Sequence, residues 1–132
     1  MSHFVELETS MTDEEALVKA LLRMGFSENQ IERHAQATSL RDYFGKVSPQ
    51  QANVVIRKNF SGISDLGWEK TKEGTFKSHL DLYKGKYDKP WQDKLQVNYN
   101  VEKTIKTLTK KKLRYTEDVD AEKRPRIRFS MK

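Results

Sequence analysis

Two periods of hydrophobic positions run along this chain, and they predict strands and helices respectively. The clearest period of two covers residues 75–84, which we predict to be a strand with one buried face. Its apolar side consists of Phe76, Ser78, Leu80 and Leu82. Its other side, which carries Lys77, His79, Asp81 and Tyr83, is expected to face solvent or a partner.

Further strands are predicted where apolar positions alternate or where β-branched residues follow one another. They cover residues 3–9, 31–40, 51–58, 65–71 and 126–131. The alternation in 31–40 is weak, and this strand is assigned by analogy with the others. The tripeptide Lys72-Glu73-Gly74 has the composition of a short hairpin connection.

A spacing of three to four residues between apolar positions predicts two amphipathic helices. The first is expected to have Thr12 as its N-cap, Glu15 completing a capping box, and Gly25 after its last turn. The second is longer, with Asp88 as its predicted N-cap and Pro90 in its first turn. Its apolar face, expected to cover the sheet, contains Trp91, Leu95, Tyr99, Ile105 and Leu108.

The predicted order of elements is β-α-β-β-β-β-α-β. Short strands joined by hairpins, together with two amphipathic helices, predict an α+β fold in which an antiparallel β-sheet carries both helices on one face. A chain of 132 residues is expected to form a single domain over 1–132. Residues 116–124 are rich in acidic side chains and are predicted to be a mobile loop.

Composition excludes several kinds of chemistry. The chain contains no cysteine, which rules out disulfides, thiolate metal sites and a cysteine nucleophile. No apolar run approaches the roughly 18–20 residues that a membrane span needs. The amino terminus also lacks the basic start and apolar stretch of a signal peptide. We therefore expect a soluble, intracellular protein.

The sequence contains no motif for catalysis or for a cofactor. It has neither a phosphate-binding loop nor a GxGxxG or GxSxG pattern. The histidines His3, His34 and His79 lack the spacing of metal ligands. We predict a non-enzymatic protein with no metal and no cofactor. An enzymatic alternative would use His79 with a carboxylate; Glu69 and Asp81 lie on adjacent predicted strands, but nothing visible in the sequence raises their pKa.

Charge is distributed unevenly along the chain, whose net charge is +6. Residues 1–32 carry seven acids against Lys19 and Arg23, while residues 100–132 carry eleven bases against five acids. The candidate patch for an anionic partner or a nucleic acid is Lys103, Lys106, Lys110, Lys111, Lys112, Arg114, Arg126 and Arg128. Tyr99 and Tyr115 are candidate stacking groups beside it.

Three interpretations of this patch remain open at the level of sequence. It binds a protein with an acidic surface, it binds DNA or RNA, or it is a solvated surface that maintains solubility. Lysine predominates on the helix, whereas specific base recognition favours arginine and asparagine. The acidic run that follows would also partly screen the patch. We therefore predict a protein–protein interaction module, with nucleic-acid binding as the alternative.

Several short motifs resemble a known family. They are the opening Met1-Ser2-His3-Phe4, the helix from Ala16 to Phe26, Asp65-Leu66-Gly67-Trp68, and Asp93-Lys94-Leu95 followed by Tyr99. These resemble the conserved reading-frame family thirty-five of plastids and cyanobacteria, a domain of unknown function with relatives in cyanophages. The similarity is strongest over 1–26 and 88–112, and the middle strands are hard to align.

The resemblance implies a small α+β protein of the cyanobacterial, plastid or cyanophage world. Its expected location is the cytosol of a cyanobacterial or phage-infected cell, or the plastid stroma. The family supplies no established activity, catalytic residue or cofactor. For a phage-encoded member, a binding role directed at the host would be expected by analogy.

Overall fold

The computed structural model describes residues 4–82 and 85–129 of the chain. Its elements are β1 (Phe4–Glu8), α1 (Glu14–Arg23), β2 (Glu32–Arg41), β3 (Val47–Ile56), α2 (Lys58–Ser61), β4 (Leu66–Lys70), β5 (Phe76–Asp81), α3 (Lys89–Lys110), β6 (Tyr115–Val119) and β7 (Pro125–Phe129). A 3-10 turn, Glu28–Gln30, precedes β2. The predictions for His3, Tyr83, Ser130 and Met131 lie outside the described residues.

The sheet is antiparallel and has five strands in the order β1-β5-β4-β3-β2. Strands β6 and β7 form a separate two-stranded hairpin. The predicted α+β class is therefore confirmed, and the predicted strands and helices occur in the predicted order. The one-turn helix α2 and the strand β6 are additions to that order.

Strand β6 occupies part of the acidic segment that was predicted to be a loop. Residues 116–119 belong to the strand, and only the residues that follow form the turn. Asp118 lies directly opposite Arg126 in the hairpin, with Arg126 Nε 2.7 Å from its carboxylate. Opposite charges at facing positions stabilise a strand pair, so the strand tolerates Glu117 and Asp118, which have low β-propensity, between Tyr115, Thr116 and Val119, which favour strands.

The core lies between one face of the sheet and the helices α1 and α3. Alternate side chains of each strand point toward this face, and the apolar stripes of the helices cover it. Its buried members include Leu17, Leu21, Leu95 and Tyr99 from the helices and Val54, Ile56, Leu66, Trp68, Phe76 and Leu80 from the strands. Both helices therefore pack on the same face, as predicted.

The ends of α1 show one confirmed and one wrong prediction. Asp13, rather than Thr12, is the N-cap, and its carboxylate accepts a hydrogen bond of 3.0 Å from Ala16 N. Tyr99 Oη accepts hydrogen bonds of 3.0 Å from the N–H groups of both Thr12 and Asp13, which fixes the backbone ahead of the helix. Gly25 has φ of 109° and follows the last turn, as predicted.

The second face of the sheet is covered by the protein's own β2–β3 hairpin. Register shifts in β2 bend this hairpin, and Leu40, Ala52 and Val55 form a small apolar cluster on that face. Gly67 lies beneath the cluster, since a Cβ built there would be 2.6 Å from the Cβ of Ala52. The polar side of β5, predicted to be open, is therefore closed in part: His79 and Asp81 are each 1% exposed, whereas the Lys77 side chain is 27% exposed.

Candidate functional site

The two lysines in the middle of α3 form ion pairs with an acidic residue of the same chain. Asp13, at the start of α1, lies 2.6 Å from Lys106 Nζ and 3.6 Å from Lys103 Nζ. Partial burial tends to raise the pKa of Asp13, but the hydrogen bonds from Lys106 and Ala16 outweigh it and lower that pKa below its ordinary 3.8. Lys103 and Lys106 therefore attach α3 to the positive end of α1.

We expect Asp13→Asn to reduce the free energy of unfolding by about 0.5–1 kcal/mol at neutral pH. Asparagine retains the N-cap but loses the ion pairs. Because the pKa of Asp13 is lowered in the folded state, its contribution is present above the unfolded pKa and is lost as the pH falls through the folded one. Urea unfolding across pH 2–7 should show the two proteins converging in acid. A difference that is constant with pH would contradict this assignment, and Glu28→Gln is the control.

The two arginines of β7 also have an acidic neighbour. Arg126 binds Asp118 through Nε and Nη2 at 2.7 and 3.0 Å, and Arg128 Nε lies 3.6 Å from the same carboxylate. The hydrogen bond from Arg126 lowers the pKa of Asp118 and raises that of Arg126 itself. Arg126 is thus neutralised within the hairpin. Arg128 has the longer contact, and its side chain is 63% exposed.

Four of the predicted cations form no ion pair in the part of the chain that the structure describes. Lys110, Lys111, Lys112 and Arg114 occupy the end of α3 and the connection to β6, and all four are exposed. Lys112 has φ of 57°, in the left-handed region that glycine adopts at no steric cost. It lies just after the C-cap residue Lys111, where helices commonly place glycine. Lys112 therefore adopts a backbone conformation that glycine usually adopts at this position of a helix end.

We expect Lys112→Gly to increase the free energy of unfolding by about 0.5–1 kcal/mol, because it relieves the left-handed conformation. The matched control is Lys111→Gly, which removes the same charge at a residue with φ of −85°. That control should lower stability. Urea midpoints at constant m-value measure both effects, and equal losses in the two variants would contradict the argument.

Aromatic side chains adjoin two of these four cations, Lys111 and Arg114. Tyr115 and Phe129 are directly opposite in the β6–β7 hairpin, and they are 36% and 52% exposed. A shallow depression of about 200 Å³ is lined by Arg114, Tyr115, Thr116, Arg128 and Phe129. A second groove of about 540 Å³ places Phe129 beside Lys111 and Leu113.

We call this region the cationic surface, defined as Lys110, Lys111, Lys112, Arg114, Tyr115, Arg128 and Phe129. It contains five of the eight residues of the predicted patch. The hairpin that completes it is attached to the rest of the protein in part by Arg23, which contacts Glu102 of α3 and lies 2.8 Å from Glu117 of β6. Tyr99, the other predicted stacking group, is 5% exposed and belongs to the core.

The histidines lie apart from the cationic surface. His79 Nε2 is 2.9 Å from Glu69 Oε1, and its Nδ1 is 3.8 Å from Glu6 Oε1. The pairing of His79 with a carboxylate matches the enzymatic alternative, but the ring is only 1% exposed and has no direct access for a substrate. His34 Nε2 forms a separate contact of 2.9 Å with Glu32. Within residues 4–82 and 85–129, no group of three or more potential metal ligands converges.

Sequence reasoning missed a second polar cluster, at the start of β4. Asp65, whose side chain is 3% exposed, accepts hydrogen bonds from Arg41 N at 2.7 Å, Lys58 N at 2.9 Å and Arg57 Nη1 at 2.8 Å. Arg57 also binds Glu32 at 3.1 Å. No local sequence motif predicts this cluster, because its members come from β2, the segment after β3, and the start of β4. Its role is to hold these segments together.

Comparison with known proteins leaves the family open. The sequence matches no protein-family model, no curated protein and no solved structure. The resemblance described above therefore stays a prediction. Among the described residues, no helix is long and apolar enough to cross a membrane.

Proposed function

We propose that this chain is a non-enzymatic protein–protein interaction module whose cationic surface binds an acidic segment of another protein. The observation that carries the proposal is the division of the basic residues into two groups. Lys103, Lys106 and Arg126 are held by carboxylates of the chain itself. Among the described residues, the cations at 110–114 form no ion pair, and Lys111 and Arg114 adjoin two exposed aromatic rings.

The chemistry of this surface suits a protein ligand. Arginine and aromatic residues are enriched at protein interfaces, where aromatic rings bury apolar area and arginine pairs with carboxylates. Val119 on the same hairpin is 60% exposed and extends the apolar contact area. The left-handed Lys112 supports the proposal further, because backbone strain retained at an exposed position often accompanies function.

Nucleic-acid binding is the second candidate, and it is favoured by the exposed aromatic side chains of Tyr115 and Phe129, which line one depression with Arg114 and Arg128. The neighbouring charges oppose it. Glu117, Asp118, Asp120 and Glu122 all lie on the same hairpin; each contacts an arginine, and together they lower the net positive charge available to a phosphate backbone running along the hairpin. A localised acidic segment of a protein depends less on that net charge than a polyanion does.

The proposal is tested with two probes of similar charge, a peptide of alternating glutamate and leucine and an oligothymidylate. We expect the peptide to bind more tightly at about 150 mM salt, and Lys111→Gln/Arg114→Gln to weaken its binding about tenfold. Lys89→Gln/Lys106→Gln removes the same charge from two lysines that pair with Asp93 and Asp13 and line neither groove of the cationic surface, and it should leave affinity within about twofold.

Two results would overturn this assignment. Equal losses in the two double variants would show that net charge alone attracts the peptide. Tighter binding of the oligothymidylate, with an affinity that falls steeply as salt increases, would transfer the function to nucleic acid.

A further inference from the structure

Strand β1 forms one end of the five-stranded sheet. It pairs only with β5 in the strand order, so the other edge of its backbone has no strand beside it among the described residues. Such an edge presents N–H and C=O groups at the spacing that another extended chain can pair with. Edge strands used for recognition usually combine this backbone pairing with a groove that selects side chains.

A groove of about 430 Å³ runs alongside this edge, between β1 and the start of α3. Its apolar lining includes Leu7, Leu80, Trp91 and Leu95. Alternate residues of a strand lie on the same side of the sheet, and Leu7 lies on the side that the helices cover. Leu7 therefore faces the groove. Trp91 is partly buried against the core, and it also lines the groove.

The opposite side of β1 is acidic. Glu6 and Glu8 alternate with Val5 and Leu7, and their side chains are 49% and 74% exposed. Their contacts with Lys77 are long, at 3.8 and 3.9 Å, so much of this negative charge faces solvent. The edge therefore presents the groove on one side of its backbone and the carboxylates of Glu6 and Glu8 on the other, and Glu8 is also among the residues that line the groove.

We propose that β1 is a strand-addition site for an extended segment of a partner protein in which apolar and cationic side chains alternate. A strand added to β1 turns successive side chains to opposite faces of the sheet. Its apolar residues enter the groove beside Leu7 and Trp91, and its cationic residues lie next to Glu6 and Glu8. A second copy of β1 is disfavoured as occupant, because antiparallel pairing of two identical edges brings their glutamates together.

The probes are a peptide of alternating valine and lysine with polar ends, and the same peptide with glutamate in place of lysine. Intrinsic fluorescence follows binding, because Trp91 lines the groove whereas Trp68 is 0% exposed. We expect the lysine peptide to bind at least about tenfold more tightly than the glutamate peptide. Hydrogen exchange should show new protection at the amides of residues 4–8.

Glu6→Lys/Glu8→Lys should abolish the preference for the lysine peptide. Glu28→Lys/Glu73→Lys changes the net charge equally at exposed turn positions and should retain the preference. Glu8→Lys alone is the substitute if the first double variant fails to fold. Equal affinity for both peptides, binding without protection of β1, or self-association that protects β1 in the absence of peptide would each overturn the proposal.

Discussion

Replacement of Asp65 by alanine is expected to lower the free energy of unfolding by about 3–4 kcal/mol, the largest effect of any single charge removal considered. The carboxylate accepts hydrogen bonds from the backbone N–H groups of Arg41 and Lys58 and from the Arg57 guanidinium. Its side chain is only 3% exposed, so water cannot replace it readily. The variant leaves these donors unpaired at the junction of β2, α2 and β4.

Urea denaturation of two further variants separates this explanation from a general loss of charge. Glu32→Ala removes the other carboxylate that binds Arg57, but this side chain is 40% exposed and its loss should cost less than about 1 kcal/mol. In an Arg57→Met background, Asp65→Ala should cost less than in the wild type, because no partly buried cation is left unpaired. Similar losses for Asp65→Ala and Glu32→Ala would contradict the account.

Gly67→Ala is expected to cost about 2–3 kcal/mol through overpacking. The added methyl group would lie 2.6 Å from the Cβ of Ala52 and 2.8 Å from Cδ1 of Leu40. Ala52 Cβ is fixed by the backbone of β3, so a rotamer change cannot move it aside. The hairpin must therefore shift away from the sheet, which also loosens the cover over His79.

A second substitution that makes room for the new methyl group tests this explanation of the Gly67→Ala effect directly. Ala52→Gly removes the methyl group that the new side chain meets, so Gly67→Ala/Ala52→Gly should recover much of the loss seen in Gly67→Ala alone. Thermal unfolding would report the stability of each variant. Hydrogen exchange at residues 76–81 would report how well β5 is shielded from solvent. Strictly additive costs in the double variant would show that the close approach at Gly67 does not determine stability.

Elements with local signals could be predicted from the sequence. The long helix α3 begins where Asp88 and Pro90 indicate, with Asp88 accepting a hydrogen bond of 3.1 Å from Trp91 N. Gly25 ends α1 for an equally local reason. The choice between Thr12 and Asp13 as N-cap was not local, because the hydroxyl of Tyr99, far along the chain, orients both residues.

The site could be predicted only in part, because its contacts also join residues that are far apart in the sequence. The pattern of charge identified the basic residues. It could not show that Asp13 forms ion pairs with Lys103 and Lys106, which lie 90 and 93 positions further along the sequence. Alternation along β5 correctly assigned the buried face of Phe76 and Leu80. It could not anticipate that a bent hairpin would close the other face over His79, since that depends on register shifts in β2.

The central claim is that the cationic surface, rather than the lysine face of α3 as a whole, is where this chain binds its partner. Chemical-shift mapping of the ¹⁵N-labelled protein during titration with the glutamate–leucine peptide tests it most directly. We expect perturbations to concentrate at residues 110–116 and 127–129 and to leave residues 13 and 106 nearly unchanged. Perturbations centred on Lys103, Lys106 and Asp13, or spread evenly over all exposed lysines, would contradict it.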